Sequence, residues 1–177
     1  MIKKGDIVLF AKSKDMASRI ISIFTQSNYT HVGIVIDILP GKIITAEALA
    51  NGFTFREYSR YNFMNLIRNK KILLQRSIHP LSNVKKTAKK YKGVSYGWID
   101  ILLIGLHGIG IKWKPITDRS KQLICSEAVA RILYDTSDKL INFEKEYNKP
   151  FYLMTPDDIY RSLFITPVYI QMDYINP

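Results

Sequence analysis

Apolar residues fall in short blocks along this chain, and the spacing inside the blocks shifts from strand-like early on to helix-like later. "GDIVLF" (5–10) is a continuous apolar run after a turn glycine, which predicts a buried strand. Ala17, Ile20, Ile21 and Phe24 then recur at helical spacing, with Ser13 or Asp15 available as the N-cap of a short helix. "HVGIVIDI" (31–38) and "KIITAEAL" (42–49) are β-rich runs separated by Pro40-Gly41, and Asn51-Gly52 leads into "FTFREY" (53–58). Together they predict an antiparallel meander. "KILLQRS" (71–77) reads as a further strand, and Ser82 is a candidate cap for a basic helix that runs toward Tyr91.

The most apolar stretch, "WIDILLIGLHGIGIKW" (98–113), carries Asp100 and three glycines and is too short to cross a bilayer, so it reads as helix and then loop. A helix over 125–135 follows, with Ile124, Ala128, Val129, Ile132 and Leu133 on one face. Thr155, Pro156, Asp157 and Asp158 combine a cap, a proline at the first helical position and acids in the first turn, which marks another helix start. "VYIQMDYI" (168–175) alternates as a closing strand. The fold class expected is α+β, an antiparallel sheet or partial barrel with helices against it. At 177 residues, one domain over 1–177 is the natural division.

Composition narrows the picture. Apolar residues make up 47% of the chain and charged ones 23%, as in folded globular proteins. The apolar run from Ile7 to Ala11 is shorter than the core of a signal peptide, so no export signal is visible. A single cysteine cannot form an internal disulfide, which fits a reducing setting, cytoplasmic or delivered into a host. One Cys and three scattered His do not make a standard structural zinc site, and "GLHGIG" lacks the spacing of a dinucleotide fingerprint. No cofactor or metal is called for.

Charge adds a candidate partner. The formal net charge is +11, and no acidic residue occurs between Glu57 and Asp100. Lys85, Lys86, Lys89 and Lys90 recur as one face of the basic helix, an electrostatic footprint for an anionic surface or polymer. A solvated helix face would look the same.

The chemistry centres on Cys125. Cysteine is among the most buried residue types and often only packs. Placed in the first turn of a helix, however, its thiol meets free backbone N–H groups and the helix dipole, which favour a thiolate. A thiolate needs a base and a group to orient that base. His79 precedes a proline, His107 lies in the glycine-broken run, and His31 stands at the start of a strand where the sheet would hold its ring. Glu47 is a lone carboxylate among small and apolar neighbours and requires a partner. Parity tests the pairing. A two-residue turn pairing Leu39 with Lys42 would point Glu47 away from His31, whereas an odd loop or a bulge would pair Gly33 with Glu47 and bring Glu47 to the face of His31.

The order "GDIVLF", "SNYTHVGIVI", "AEA" with a glycine hairpin, "GVSYG", "CSEAVARIL" and "TPDDI" resembles the circularly permuted, YiiX/YaeF-like branch of the NlpC-like, papain-fold cysteine peptidases, over residues 5 to about 160. The resemblance implies Cys125 as nucleophile, His31 as general base and then acid, and Glu47 as the group that orients the imidazole. It also implies that the Tyr96 hydroxyl lies near the reactive centre, beside backbone N–H groups of the helix start such as that of Ser126. Where this chain departs from the family is the long apolar segment after "YG", so no relative's substrate pocket can be copied.

Three functions compete on this reading. The first is a cysteine hydrolase for a peptide, isopeptide or cell-wall amide. The second is a lipid-directed acyltransferase or esterase using the same residues, with the 98–113 segment against the acyl chain. The third is a non-catalytic basic module that binds a polyanion.

Overall fold

The computed structural model describes residues 1–12, 28–97 and 122–170. The expected helix around Ala17 to Phe24 and the apolar segment 98–113, with His107, lie outside the described residues. Eight strands are found among those described: β1 (Ile7–Ala11), β2 (Tyr29–Leu39), β3 (Lys42–Leu49), β4 (Gly52–Ser59), β5 (Ile72–Ser77), β6 (Ser95–Tyr96), β7 (Gln122–Leu123) and β8 (Ile165–Pro167). Six of them form one antiparallel sheet in the order β4-β3-β2-β1-β5-β8, and β6 and β7 pair in parallel beside it. Helices α1 (Arg60–Arg68), α2 (Val84–Lys89), α3 (Cys125–Thr136), α4 (Phe143–Tyr147) and α5 (Pro156–Arg161), with a 3-10 turn at Phe151–Leu153, complete the described elements. The class is mixed α+β, an antiparallel sheet packed against helices. None of the described helices is long and apolar enough to cross a membrane.

Period-two alternation explains why the apolar runs are nearly unbroken: the central strands are covered on both faces. Ile7, Leu9, Val32, Ile34 and Ala46 pack with Ala128, Val129, Ile132 and Leu133 of α3. Val8, Val35, Ile43 and Leu74 face the other way and bury Phe63 of α1. Burying each Val, Leu, Ile or Phe among them contributes about 1.5–3 kcal/mol before conformational entropy is subtracted.

The meander resolves the parity question. Leu39 pairs with Lys42 across a two-residue turn, the arrangement that by itself turns Glu47 away from His31. A β-bulge at Ile36 then adds one residue to β2, so that Val35 pairs with Thr45 and Gly33 with Glu47. The bulge inverts the face of everything beyond it, and Glu47 comes round to the side of His31.

Two expectations are corrected. Ser82 does not cap the basic helix: Asn83 occupies that position in the left-handed region at φ 54°, and Ser82 donates its backbone N–H to the Thr136 carbonyl. The helix also stops at Lys89, short of Tyr91. The closing strand lies earlier than its alternation suggested, at Ile165–Pro167, because β5 offers its edge there; residues 168–170 form no strand and the rest of that run lies outside the described residues.

Candidate active site

β2 and β3 position the first two groups. His31 and Glu47 share a sheet face with Gly33 between them, and His31 Nε2 meets Glu47 Oε2 at 2.9 Å. Gly33 is needed for that approach, since a Cβ there would stand 2.8 Å from Glu47 Cγ and 3.1 Å from the Ala46 carbonyl oxygen. On its other oxygen, Glu47 accepts from the Thr45 hydroxyl at 2.6 Å and the Tyr58 hydroxyl at 2.9 Å. The carboxylate is thus fixed by three partners although the residue is only 1% exposed. Phe10, opposite His31 on β1, lies against the imidazole with ring centroids 4.9 Å apart. Thr45, Tyr58 and Phe10 were not singled out from the sequence. Thr45 and Phe10 carry a signal there, by period two from Glu47 and by pairing across β1, but only once the register is known.

The third group arrives from α3. That helix begins at Cys125 behind Ile124, which has no side-chain oxygen and makes no cap. Its first-turn amides have no side-chain cap, and the Ser126 amide favours the ionised sulfur. The β2–β3 ladder stops at Gly33 and Glu47, and the next amide along, that of Val32, also favours the ionised sulfur. His31 hydrogen-bonds the same sulfur. With Nε2 engaged by Glu47, the ring nitrogen left for Cys125 is Nδ1. The Tyr96 hydroxyl, brought in by the short β6–β7 pair that leads into α3, completes the surroundings of the thiol.

Electrostatics follow from that arrangement. Burial alone would raise the Cys125 thiol, but the imidazole and the two amides outweigh it and hold the thiol below its ordinary range. Burial would depress His31, yet the sulfur and the Glu47 carboxylate raise it above the usual imidazole value. Glu47, despite burial, is held below its ordinary range by His31, Thr45 and Tyr58. Burial and the nearby sulfur push the Tyr96 phenol up, so it stays a neutral donor. Both shifts act in the direction of a thiolate–imidazolium pair. Cys125 is 4% exposed, while the His31 side chain keeps 20% of its surface open to solvent.

Ser126 contributes its backbone only: its hydroxyl is buried and donates to the Met154 carbonyl at 2.6 Å. His79 lies apart, against Phe164, with its backbone bonded to Ser77. Among the described residues no group of three His, Cys, Asp or Glu side chains could hold a metal ion. At this site the imidazole stands between the carboxylate and the sulfur, so the three donors do not face a common point.

No family model and no curated protein sequence matches the chain. Among solved structures it is similar to the crystal structure of the metalloprotein YiiX from Escherichia coli O157:H7, with a TM-score of 0.60 and 19% sequence identity over 97% of this chain and 98% of that one. Along nearly its whole length, this chain shares the fold of YiiX.

Proposed function

We propose that this chain is a cysteine hydrolase of the permuted papain-like type, cleaving an amide bond through an acyl-enzyme with Cys125, His31 and Glu47 as its triad. The observation that carries the reading is the bridging imidazole, bonded on one side to a buried carboxylate and on the other to a thiol at an uncapped helix start. In the reaction, the Cys125 thiolate attacks the carbonyl carbon, and the imidazolium of His31 gives its proton to the departing nitrogen as the C–N bond breaks. A water then attacks the thioester, His31 takes its proton, and the acid leaves as the thiolate reforms. Amides of the α3 first turn, with the Tyr96 hydroxyl, supply donors to the oxyanion. Glu47 holds the ring in the tautomer and orientation this needs.

The metal of YiiX is not part of this reading, because among the described residues the Cys, His and Glu donors of this site do not converge on one point. An activity-based acyl probe directed at thiols tests the proposal. Labelling is expected in the native protein and lost in Cys125→Ala, and turnover is expected to fall by about 10³-fold or more in His31→Ala. A panel of peptide, isopeptide and lipid-ester substrates then separates amide hydrolysis from lipid deacylation. Unchanged turnover in Cys125→Ala would end the proposal.

A further inference from the structure

The bulge at Ile36 has a second effect, on the α2 side of the sheet and away from the thiol. Ahead of the bulge, Val32, Ile34 and Ile36 face the helices; beyond it Asp37, paired with Ile44, faces the same way. The bulge therefore sets Ile36 and Asp37 side by side on one face. There they meet a groove of about 450 Å³ lined by Lys4, Lys85, Lys86, Lys89 and Asn83, over a floor of Ile36, Leu81 and Val84.

Asp37 is 6% exposed and organises this groove from below. One of its oxygens holds the Lys4 ammonium at 2.6 Å and the other the Lys85 ammonium at 2.5 Å, while its own strand neighbour Ile38 donates a backbone N–H. Each ammonium has further N–H bonds that Asp37 does not use. Lys86 and Lys89, both exposed, have no ion-pair partner among the described residues. Two cations are thus oriented by a buried carboxylate and two more lie beside them, so the groove carries a net positive charge of several units over an apolar floor. Lys90, the fourth lysine of the sequence cluster, lines a different groove with Glu127 and Arg131.

We propose that this groove binds a small molecule carrying two or more closely spaced phosphate groups, at a site independent of the thiol chemistry. Closely spaced anions match closely spaced ammonium groups, and the apolar floor accepts the body that bears them. The concavity and the turning away of Lys90 favour a compact ligand over the extended backbone of a nucleic acid, which would use a continuous basic stripe.

Inorganic tripolyphosphate, titrated into the full chain at moderate salt, is the probe, with a short DNA duplex titrated in parallel. The double variant Lys86→Glu/Lys89→Glu, both at exposed positions, is expected to weaken tripolyphosphate binding by about tenfold or more, and Lys90→Glu to leave it within about twofold. Asp37→Asn separates organisation from mere charge. It raises the net charge, so a diffuse basic surface would bind more tightly; an organised groove loses its buttress and binds more weakly. Weaker binding in Asp37→Asn, with the fold confirmed by its thermal transition, supports the site. Tighter binding in Asp37→Asn, an equal loss in Lys90→Glu, or a preference for the duplex that falls with Lys90→Glu would overturn it.

Discussion

The helix that begins at Pro156 and the helix that begins at Cys125 face the same difficulty, backbone amides with no partner inside the helix, and meet it in opposite ways. At α5 the amides are closed off locally. Thr155 accepts from the Asp158 N–H, Asp158 accepts from the Thr155 N–H at 2.6 Å, and the proline that follows Thr155 has no N–H to satisfy. At α3 the capping position holds Ile124, buried and without a side-chain oxygen, and the Ser126 amide that follows favours the ionised sulfur of Cys125. One start is complete in itself and stabilises the fold. The other is left open, and its Ser126 amide helps to lower a thiol instead. Where a helix lacks a cap and its first residue is ionisable, the missing cap is itself evidence about chemistry.

If that contrast is right, perturbing the two starts should give different readouts. The largest effect is expected at the carboxylate behind the α3 site. Glu47→Gln keeps the shape but removes the charge that favours the imidazolium, and turnover should fall by about 10³-fold. The pH profile carries the sign. Activity should be bell-shaped, rising as the Cys125 thiol ionises below its ordinary range and falling as His31 loses its proton above the usual imidazole value. In Glu47→Gln the alkaline limb should move to lower pH; an alkaline limb that stays in place means that Glu47 does not support His31.

Gly33→Ala comes next. Its Cβ would press on Glu47 Cγ and the Ala46 carbonyl, displacing the carboxylate from the imidazole. A displacement of this order should lower kcat/KM by about 10²-fold. A thermal transition that falls while kcat/KM is unchanged would show that Gly33 serves packing alone.

The smallest effect belongs to the closed start. Thr155→Ala should cost about 1 kcal/mol of stability, read as a shift in the denaturant midpoint, with kcat/KM unchanged. A rate change of tenfold there would mean that the two helix starts are coupled.

The α5 start was readable because every component is local: cap, proline and acids stand within four adjacent positions, Thr155 to Asp158. The strands of the meander were readable for the same reason. Cys125, His31 and Glu47 stood out as chemically odd residues in their segments, Tyr96 was implied by the family resemblance alone, and the four are neighbours in space. The bulge was not readable. Between Ile34 and Ile38 both faces of β2 are almost wholly apolar, so alternation carries no register, and a two-residue turn with a bulge satisfies the same pattern as an odd loop without one. Thr45 and Tyr58 were hidden by that ambiguity, because their relation to Glu47 exists only in the final register. Ser82 was mistaken for a cap because Asn83, the residue that holds the position, makes no side-chain bond there and is distinguished only by its left-handed backbone.

The measurement that tests the central claim most directly is the rate of alkylation of Cys125 by iodoacetamide as a function of pH, in the native chain and in His31→Ala. A thiolate favoured by His31 and by the Ser126 and Val32 amides should react below the ordinary thiol range, near pH 8.5, and in His31→Ala the transition should move up to that range or beyond it. A native transition at or above the ordinary range, or one that His31→Ala leaves unmoved, would contradict the account.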